Sequence, residues 1–491
     1  MTRPARDAID LTAEEFRRLG HALVDQLAGF LAELPSRPVG PVPEPDAIRS
    51  RLSGYALGDA PVDAAALLRR TADTLFEGGT FPGHPRFFGY ICGAGAPLGA
   101  LGDLLAATLN QNVAGWSLSP LAHELEAQAV AWLAELVGYP AGCGGLFVTG
   151  GNMANFIPIL LARRRRLGAE VRTRGVAAGP PARIYASTEC HTWLHKAADM
   201  FGLGTDAIAW IPADRAQRID VPALAAALEH DRRAGAVALC IVGSAGTVST
   251  GAVDPLGELA ELAAEHDAWF HVDGSYGAAA ALLEHPPPGL DALPRADSVA
   301  VDAHKWFYAP YDVACTLVRD RAALAATFEY KPSYYSRKIQ SIDGIHNYNA
   351  MGPDNSRGFR ALKVWLVLQQ VGRAGYRALI RHDVDMAQRL ADRVRAEPAL
   401  ELVSQSLSIT TFRYAPPELR GGDREADLQR LNVALVLRIQ ASGRGFVSHA
   451  FVGETFALRA CIVNFRSAEA DLAALVELVV ELGAALHAEL P

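Results

Sequence analysis

The sequence lacks the features that mark exported, membrane-spanning and zinc-binding proteins. Its 6 cysteines are scattered without a C-x-x-C pair, which argues against both a disulfide framework and a zinc site. The N-terminus has no apolar signal-peptide core, and no run of about 18 apolar residues occurs in the chain. We therefore expect a cytoplasmic protein with reduced thiols, no metal site and no membrane contact.

Features of nucleic-acid and nucleotide binding are also missing. The formal net charge is −8 at pH 7, and the longest basic run is the arginine stretch at residues 163–166. Neither G-x-G-x-x-G nor G-x-x-x-x-G-K-[ST] occurs. A chain of this charge is not expected to bind nucleic acid, and nucleotide binding is a weak alternative.

The chain does contain enough apolar sequence for a large core. Of its 491 residues, 50% are hydrophobic and 20% are charged, which is typical of a globular protein with more than one domain. Predicted strands and helices alternate from about residue 140 to 318, as expected for a sheet with crossover helices. A second α+β unit is predicted after it, with strands at 400–403, 409–414 and 456–463 and a closing helix at 468–486.

The N-terminus predicts a helix with one apolar stripe. Thr12 and Glu15 form a capping-box pattern, and apolar residues then recur at helical spacing from Phe16 to Leu34. A proline-rich connector at residues 35–45 separates this helix from the next element. The helix is therefore predicted to lie as an arm across another body.

Two apolar strands are each predicted to lead directly to a charged side chain. Asp273 closes a strand that begins near Trp269, and Lys305 follows a strand that begins near Ser298. Since ligands bind at the carboxyl ends of the strands of an open α/β sheet, both side chains should face one crevice. A lysine at the end of an apolar run is also a candidate for a lowered pKa, which makes its amine a nucleophile.

These residues and a glycine turn together suggest pyridoxal phosphate (PLP). The Lys305 amine could bond to the aldehyde of PLP, and Asp273 could keep its ring nitrogen protonated. Between a predicted strand and a helix, Gly150 and Gly151 would let backbone N–H groups approach an anion such as a phosphate. Each feature is weak by itself, because a charged residue at a strand end is more often a solvated loop residue.

The pattern as a whole is more specific. His271-Val-Asp-Gly-Ser-Tyr-Gly277, a proline-rich turn and then Asp297-Ser-Val-Ala-Val-Asp-Ala-His-Lys-Trp306 resemble group II PLP-dependent amino-acid decarboxylases, above all the aromatic-L-amino-acid decarboxylases. The resemblance spans nearly the whole chain and implies the α/β, fold-type I architecture of aminotransferases with a mostly parallel sheet. It implies an N-terminal arm at 1–85, a large PLP-binding domain at 86–375 and a small C-terminal α+β domain at 376–491. It also implies a homodimer in which the arm packs on the partner.

The resemblance assigns roles to residues of the predicted crevice. Lys305 would bond to PLP, and Asp273 would contact its ring nitrogen. His191 would stack on the ring, with His195 as the less favoured candidate. The other implied cofactor contacts are Gly150, Gly151, Asn152, Thr247, Ser298, Asp302 and His304, and the implied substrate pocket contains Tyr90, Ile91, Asn112 and Ala114.

Three of these positions depart from the family pattern. Asp302 occurs where the animal aromatic enzymes have Asn, so a carboxylate near phosphate would need a hydrogen-bond donor or its own proton. Asn112 and Ala114 occur where the aromatic-amino-acid enzymes carry larger apolar side chains. These departures leave the identity of the substrate open.

An irregular stretch from Tyr330 to Asp354 has the length and composition of a functional loop. The resembled family has a mobile catalytic loop here, and Tyr348 falls where its decarboxylases keep a tyrosine and its aldehyde-forming members carry phenylalanine. A phenol can deliver a proton to the carbon that has lost CO2, whereas a phenyl ring cannot. Tyr334 and Tyr335 belong to the same stretch, so Tyr348 could also be one loop aromatic among several.

The expected reaction is the PLP-dependent decarboxylation of a small-molecule L-amino acid, aromatic or similar, to an amine and CO2. The expected catalytic residues are Lys305, Asp273, His191 and Tyr348. One alternative is oxidative conversion of the same substrate to an aldehyde, ammonia and peroxide. Another is decarboxylation of an acidic amino acid such as glutamate, which would need a cationic pocket. A non-catalytic binding module is the weakest alternative, because Lys305, Asp273 and His191 are all present.

Overall fold

The computed structural model describes residues 9–40, 44–330, 346–421 and 424–489. Most of the predicted catalytic loop, with Tyr334 and Tyr335, lies outside the described residues. Tyr348 lies within them, in a short 3-10 helix at Tyr348–Ala350. Within these ranges no helix combines the length and the apolar character that crossing a bilayer requires.

The described residues of the N-terminal part include α1 (Ala13–Glu33), α2 (Pro45–Arg51), α3 (Ala64–Gly78) and the short strand β1 (Phe87–Phe88). The predicted capping box begins α1, since the Glu15 N–H donates to the Thr12 hydroxyl and the Thr12 N–H donates to the Glu15 carboxylate. Part of the apolar stripe packs within the chain, where the Phe30 ring stacks on Phe76 of α3 at a centroid distance of 4.5 Å. Phe16 is half exposed, so the rest of the chain covers only part of the stripe.

A seven-stranded sheet forms the centre of the molecule. Its strands are β2 (Gly144–Val148), β3 (Ala182–Ser187), β4 (Ile208–Ile211), β5 (Val237–Ser244), β6 (Trp269–Asp273), β7 (Ser298–Val301) and β8 (Ala314–Val318). The order is β2-β8-β7-β6-β5-β3-β4; β8 runs antiparallel to both neighbours, and the other pairs are parallel. The prediction of a mostly parallel α/β sheet is confirmed. The strands are largely apolar and buried, as expected where helices cover a parallel sheet.

The helices of the central region precede, connect and follow these strands. They are α4 (Pro97–Leu109), α5 (Pro120–Leu136), α6 (Gly151–Leu167), α7 (Val171–Arg174), α8 (Trp193–Met200), α9 (Val221–Arg233), α10 (Leu256–Glu265) and α11 (Arg321–Phe328). Local capping sets several of their starts. At α9, for example, the Asp220 carboxylate accepts the Ala223 N–H at 2.9 Å, which satisfies a donor that the helix itself cannot pair.

The C-terminal part forms a second sheet with its own helices. Its elements are α12 (Ala361–Ala396), β9 (Leu400–Ser406), β10 (Ile409–Tyr414), α13 (Glu425–Ser442), β11 (Phe446–Val452), β12 (Thr455–Cys461) and α14 (Glu469–Ala488). The strand order is β1-β11-β12-β10-β9, so β1 adds a parallel edge strand in which Phe87 lies opposite Phe446. The sequence pattern predicts β9, β10, β12 and α14. It does not predict β11, whose Ser448 and His449 interrupt the apolar run.

The buried side chains form two main clusters, one around each sheet. The long helix α12 contributes to both: Tyr376 and Ile380 pack in the first cluster, and Met386 and Leu390 pack in the second. The chain departs from helical geometry at Gly372, with φ 66°, a conformation that glycine adopts readily. The predicted boundary between residues 375 and 376 falls in this stretch, and the division into three domains stays a prediction.

A fully buried ion pair joins α5 to the segment that leads into α12. The Glu126 carboxylate accepts two hydrogen bonds from the Arg357 guanidinium, at 2.5 and 3.2 Å, and one from the Phe147 N–H at 3.0 Å. Arg357 also donates to the Phe147 carbonyl at 2.7 Å. Both charges are therefore paired and hydrogen-bonded, which is the condition under which a buried ion pair is tolerated.

We expect Glu126→Gln to lower the free energy of unfolding by about 3–5 kcal/mol, because it leaves the Arg357 guanidinium buried without its counter-charge. A matched control is Glu135→Gln, since Glu135 lies on the same helix and pairs with Arg373 at the surface. Loss of an exposed pair lowers stability by less than about 1 kcal/mol. The measurement is urea unfolding followed by circular dichroism, and equal effects of the two substitutions would contradict this role of Glu126.

Candidate active site

A cavity of about 130 Å³ opens at the edge of the large sheet where the parallel strands have their carboxyl ends. Its lining comes from the ends of five strands: Gly151 follows β2, His191 follows β3, Gly246 follows β5, Asp273 ends β6 and Lys305 follows β7. The predicted residues Ile91, Asn152 and Asp302 also line it. This is the edge at which open α/β sheets bind their ligands.

Asp273 is held by hydrogen bonds to both carboxylate oxygens. The Trp193 indole N–H donates to Oδ2 at 2.8 Å, and the Ser275 backbone N–H donates to Oδ1 at 3.2 Å. Desolvation raises the pKa of Asp273, but the Lys305 charge and the Ser275 hydrogen bond outweigh it, so the pKa lies below its ordinary value. Asp273 is therefore an enclosed carboxylate that keeps its charge, as a partner of a protonated ring nitrogen must.

His191 lines the cavity as a neutral imidazole. Its Nδ1 accepts the Trp193 backbone N–H at 3.1 Å, which leaves the ring proton on Nε2. Partial desolvation lowers the pKa of His191, so the ring is uncharged at neutral pH. A neutral ring can stack on a protonated pyridine without charge repulsion. His195 lies elsewhere, where its ring stacks on Trp210 at 4.7 Å.

Lys305 faces two carboxylates, and its pKa differs from the expectation. Its Nζ lies 3.0 Å from Asp302 Oδ2. Desolvation lowers the pKa of Lys305, but the charges of Asp302 and Asp273 outweigh desolvation and raise the pKa above its ordinary value. The predicted lowered pKa is therefore wrong: the apolar run indicates the burial, but the charge of Asp302, three residues earlier, and that of Asp273 on the neighbouring strand outweigh its effect.

The cavity has an anion-binding end at the start of α6. The first N–H groups of a helix have no partner within the helix and carry partial positive charge. Gly151, the first residue of α6, packs against Asp302, and a Cβ added to it would lie 2.7 Å from Asp302 Oδ2. Asn152 lies beside it in the lining, whereas Gly150 is the N-cap residue and does not line the cavity. Any side chain at position 151 would therefore clash with the Asp302 carboxylate.

Three of the residues predicted to contact the cofactor instead contact other protein groups. The Thr247 hydroxyl lies 3.0 Å from the Thr250 hydroxyl in its own turn. The Ser298 hydroxyl lies 2.9 Å from the His271 imidazole behind the strand ends. The His304 Nδ1 lies 2.8 Å from a backbone carbonyl. None of these three side chains lines the cavity, and each has a polar contact within the protein.

Only one of the four residues predicted to form the substrate pocket lines the cavity. Ile91 lines the cavity, but its neighbour Tyr90 is 56% exposed and does not. Asn112 and Ala114 also lie outside it. The Asn112 Oδ1 accepts the backbone N–H of Ala114 and that of Arg357, each at 3.0 Å. These residues hold the chain that follows α4 against the segment around Arg357, which explains a polar side chain at position 112.

Tyr348 is buried outside the Lys305 cavity of its own chain. Its ring centroid lies 4.4 Å from that of His123, and the Arg357 guanidinium lies 4.5 Å from it. Burial raises the pKa of Tyr348 well above its ordinary value, so the phenol keeps its proton. Tyr348 is thus a protonated phenol, but one chain alone does not bring it to Lys305.

Six lining residues are not among the predicted site residues. They are Asn155, Trp193, Gly246, Val248, Ser275 and Tyr276, of which the last two belong to the motif at residues 271–277. Trp193 reaches Asp273 across 80 residues of chain, so only the fold reveals this pair. Asn155 donates to the Gly151 carbonyl at 2.8 Å. It lies one helical turn after Gly151, so helical spacing from the glycine turn could have indicated it.

Comparison with known proteins now identifies the family. The model described as the pyridoxal-dependent decarboxylase conserved domain matches residues 48–415. The chain belongs to this family. The aromatic-L-amino-acid decarboxylase of Bacillus atrophaeus is 33% identical over 465 residues, which cover 94% of each chain. The phenylacetaldehyde synthase of a Rosa hybrid cultivar is 29% identical over 467 residues, which cover 92% of this chain and 90% of the synthase. A crystal structure of Oryza sativa TDC with PLP and tryptamine has a TM-score of 0.91 at 27% identity, and the match covers 99% of this chain and 100% of that one.

The family establishes the enzyme class and the cofactor. This decarboxylase is a PLP-dependent amino-acid carboxy-lyase of fold-type I. Its cavity fits PLP: an amine, a charged carboxylate and a neutral imidazole face one space from Lys305, Asp273 and His191. At the other end, the backbone at the start of α6 lies against Asp302 so closely that only glycine fits at position 151, which leaves its N–H accessible to a phosphate.

We expect the decarboxylase to absorb visible light through PLP bound at Lys305, and Lys305→Ala to lose this absorbance because alanine has no amine. Borohydride reduction followed by peptide mass spectrometry should locate the PLP mass on the peptide that contains Lys305. Lys196→Ala is the control, since Lys196 is exposed outside the cavity and its loss should leave the absorbance unchanged. A PLP mass on another lysine would show that the assignment is wrong.

Proposed function

We propose that this decarboxylase converts an aromatic L-amino acid to the corresponding amine and CO2, as a cytoplasmic homodimer. The observation that carries the chemistry is that Lys305, Asp273 and His191 line one cavity. The name of its relative from Bacillus atrophaeus, an aromatic-L-amino-acid decarboxylase, supports an aromatic substrate. The apolar lining residues Ile91 and Val248 offer contacts to such a side chain. Its cysteines are free, which suits a reducing compartment.

The surroundings of each cavity residue support a distinct role. When bound, PLP supplies the electron sink for the electron pair that departing CO2 leaves behind. The charged Asp273 would hold a proton on the ring nitrogen, and the neutral His191 would face the ring. The N–H groups at the start of α6, near Gly151 and Asn152, would bind the phosphate. Lys305 would hold the cofactor through its aldehyde.

Arg459 is proposed to bind the substrate carboxylate. Its guanidinium is buried and donates to the Val248 carbonyl in the cavity wall and to the Ser448 hydroxyl. A guanidinium has five N–H donors, more than these two contacts use. An acidic substrate would need a second cation for its side chain. Among the described residues that line the cavity, Lys305 is the only cationic side chain, so an aromatic substrate is favoured over glutamate.

A leucine stripe on α4 supports the proposed homodimer. Leu101, Leu104, Leu105 and Leu109 lie on one face of the helix and are each about half exposed. Monomeric proteins rarely leave such a stripe in water, and a second copy of the chain would cover it. The exposed part of the α1 stripe, including Phe16, adds to the apolar surface that a partner would bury.

We expect Leu105→Glu to shift the protein from dimer to monomer, because a symmetric interface would bury two carboxylates against leucine and lose about 1.5–3 kcal/mol of apolar burial per subunit. Leu437→Glu is the matched control, since Leu437 is 63% exposed on α13 of the small sheet. Sedimentation equilibrium measures the outcome. The dimer proposal fails if the native protein is a monomer or if both variants dissociate equally.

Tyr348 is proposed to favour the amine over the aldehyde by delivering a proton to the carbon that has lost CO2. The supporting observation is that its segment is bound to the chain after α4, where the Asn349 N–H donates to the Ala114 carbonyl at 3.0 Å. Because this segment lies near the proposed dimer face, we assign Tyr348 of one subunit to the cavity of the other. The similarity to a phenylacetaldehyde synthase keeps the oxidative alternative as a second candidate.

We expect the native enzyme, tested on a panel of L-amino acids, to release CO2 and amine with little ammonia or peroxide. Tyr348→Phe should keep CO2 release but shift the products toward aldehyde, ammonia and peroxide, because a phenyl ring has no proton to give. His123→Phe is the control for packing, since it changes the neighbouring ring but keeps the phenol. An unchanged product ratio in Tyr348→Phe, or aldehyde as the main native product, would rule out this role.

A further inference from the structure

Asp302 is an unusual neighbour for a phosphate-binding helix start. Its side chain is 3% exposed, and its Oδ1 has no hydrogen-bond partner among the described residues. Its Oδ2 lies 3.0 Å from Lys305 Nζ and 3.6 Å from His304 Nε2. Gly151 at the start of α6 packs against the same carboxylate. The Asp302 carboxylate therefore lies against both the amine and the start of α6, and one of its oxygens has no partner among the described residues.

The amine of Lys305 needs a proton acceptor before it can react. An ammonium has no lone pair with which to attack an aldehyde. The two neighbouring carboxylates raise the pKa of Lys305, against the effect of desolvation, so the lysine meets its cofactor in the protonated form. Asp302 Oδ2 is within direct proton-transfer distance of Nζ. Asp273 is a poorer acceptor, because its two oxygens already accept from Trp193 and Ser275.

We propose that Asp302 takes a proton from Lys305 when PLP is captured and then, as a neutral carboxyl group, donates a hydrogen bond to the bound phosphate. The inference rests on the proposed role of Lys305. One proton passes from Nζ to Oδ2, and the nitrogen lone pair forms the bond to the aldehyde carbon. The two protons that remain on nitrogen leave with the aldehyde oxygen as water. No proton is released to the solvent.

The negative charge of a bound phosphate favours the transfer of this proton to Asp302, whereas the charge of Asp273 stabilises the ammonium. The titratable groups that face the Lys305–Asp302 pair are Asp273, His191, His304, Cys92 and Tyr311. Desolvation lowers the pKa of both histidines and raises the pKa of the thiol and the phenol, so Asp273 is the only other charged group among them. A phosphate brings about two negative charges, which a charged Asp302 would repel. A proton on Asp302 removes this repulsion and turns an acceptor into a donor.

The test is the capture of PLP by enzyme from which PLP has been removed, followed by visible absorbance between about pH 6.5 and 8.5. In the native enzyme the proton moves within the cavity. In Asp302→Asn the amine must lose its proton to solvent, so its capture rate should rise with pH, toward about tenfold per pH unit. The titration of PLP itself affects both proteins equally. The ratio of the Asp302→Asn rate to the native rate should therefore rise with pH.

Asp273→Asn is the matched control, because it removes a carboxylate but keeps Asp302, and its ratio to the native rate should not rise with pH. If Asp302 only stabilises the ammonium, its removal lowers the pKa of Lys305 and the ratio falls as pH rises. A constant or falling ratio overturns the proposal.

A second measurement needs no variant. Proton release by the native enzyme during PLP capture can be followed with an indicator dye, and release of about one proton per PLP would also overturn the proposal.

The roles of Lys305 and Asp302 are tested by different variants. If Lys305→Ala still captures PLP with the native absorbance, the proposed function of Lys305 is wrong. If Lys305→Ala loses capture but the Asp302→Asn ratio does not rise, only the role of Asp302 is wrong.

Discussion

The site depends on one ammonium held between two carboxylates in an enclosed cavity. Such charges are unfavourable away from water unless each is paired and hydrogen-bonded. The pairing follows from topology: β6 and β7 are parallel neighbours, with Asp273 opposite Ala300, so the strand ends carry Asp273, Asp302 and Lys305 to the same edge. The apolar strands behind them exclude water and strengthen the attraction. The same attraction that stabilises the Lys305 charge opposes its use as a nucleophile, which is why a proton acceptor at 3.0 Å matters.

Behind the cavity, a chain of buried polar groups keeps Asp273 in position. Ser298 contacts His271, His271 contacts Asn155, and the Asn155 amide contacts Ser275. Desolvation lowers the pKa of His271 to about 4, so its neutral ring can donate one hydrogen bond and accept another. Ser275 in turn donates its N–H to Asp273. Ser298 therefore supports the cavity wall without contacting the cavity, as outer hydrogen-bond partners commonly orient the groups of a functional site.

The sequence predicts the features that depend on local pattern. The apolar strands, the glycine turn before α6 and the charged residues at strand ends can each be read within a short window, and the structure has all of them. Long-range pairs cannot be read in this way. Trp193 and Asp273 are 80 residues apart, and Glu126 and Arg357 are 231 apart, so neither local sequence indicates the partner. The predicted pKa of Lys305 is wrong for a different reason: the prediction considered the burial of the lysine but not the charge of Asp302, three residues earlier, to which Asp273 on the neighbouring strand adds.

The Glu126–Arg357 pair connects the core to the region that we assign to product choice. The Arg357 guanidinium lies against the Tyr348 ring, and its backbone N–H donates to Asn112, beyond the end of α4. Since α4 carries the exposed leucine stripe, one buried charge pair sets the positions of both Tyr348 and the chain next to the proposed dimer face. An apolar contact would permit several orientations of these segments. The bonds to both Glu126 oxygens and to the Phe147 carbonyl permit only one orientation of the planar guanidinium, so geometric precision is what this ion pair contributes beyond stability.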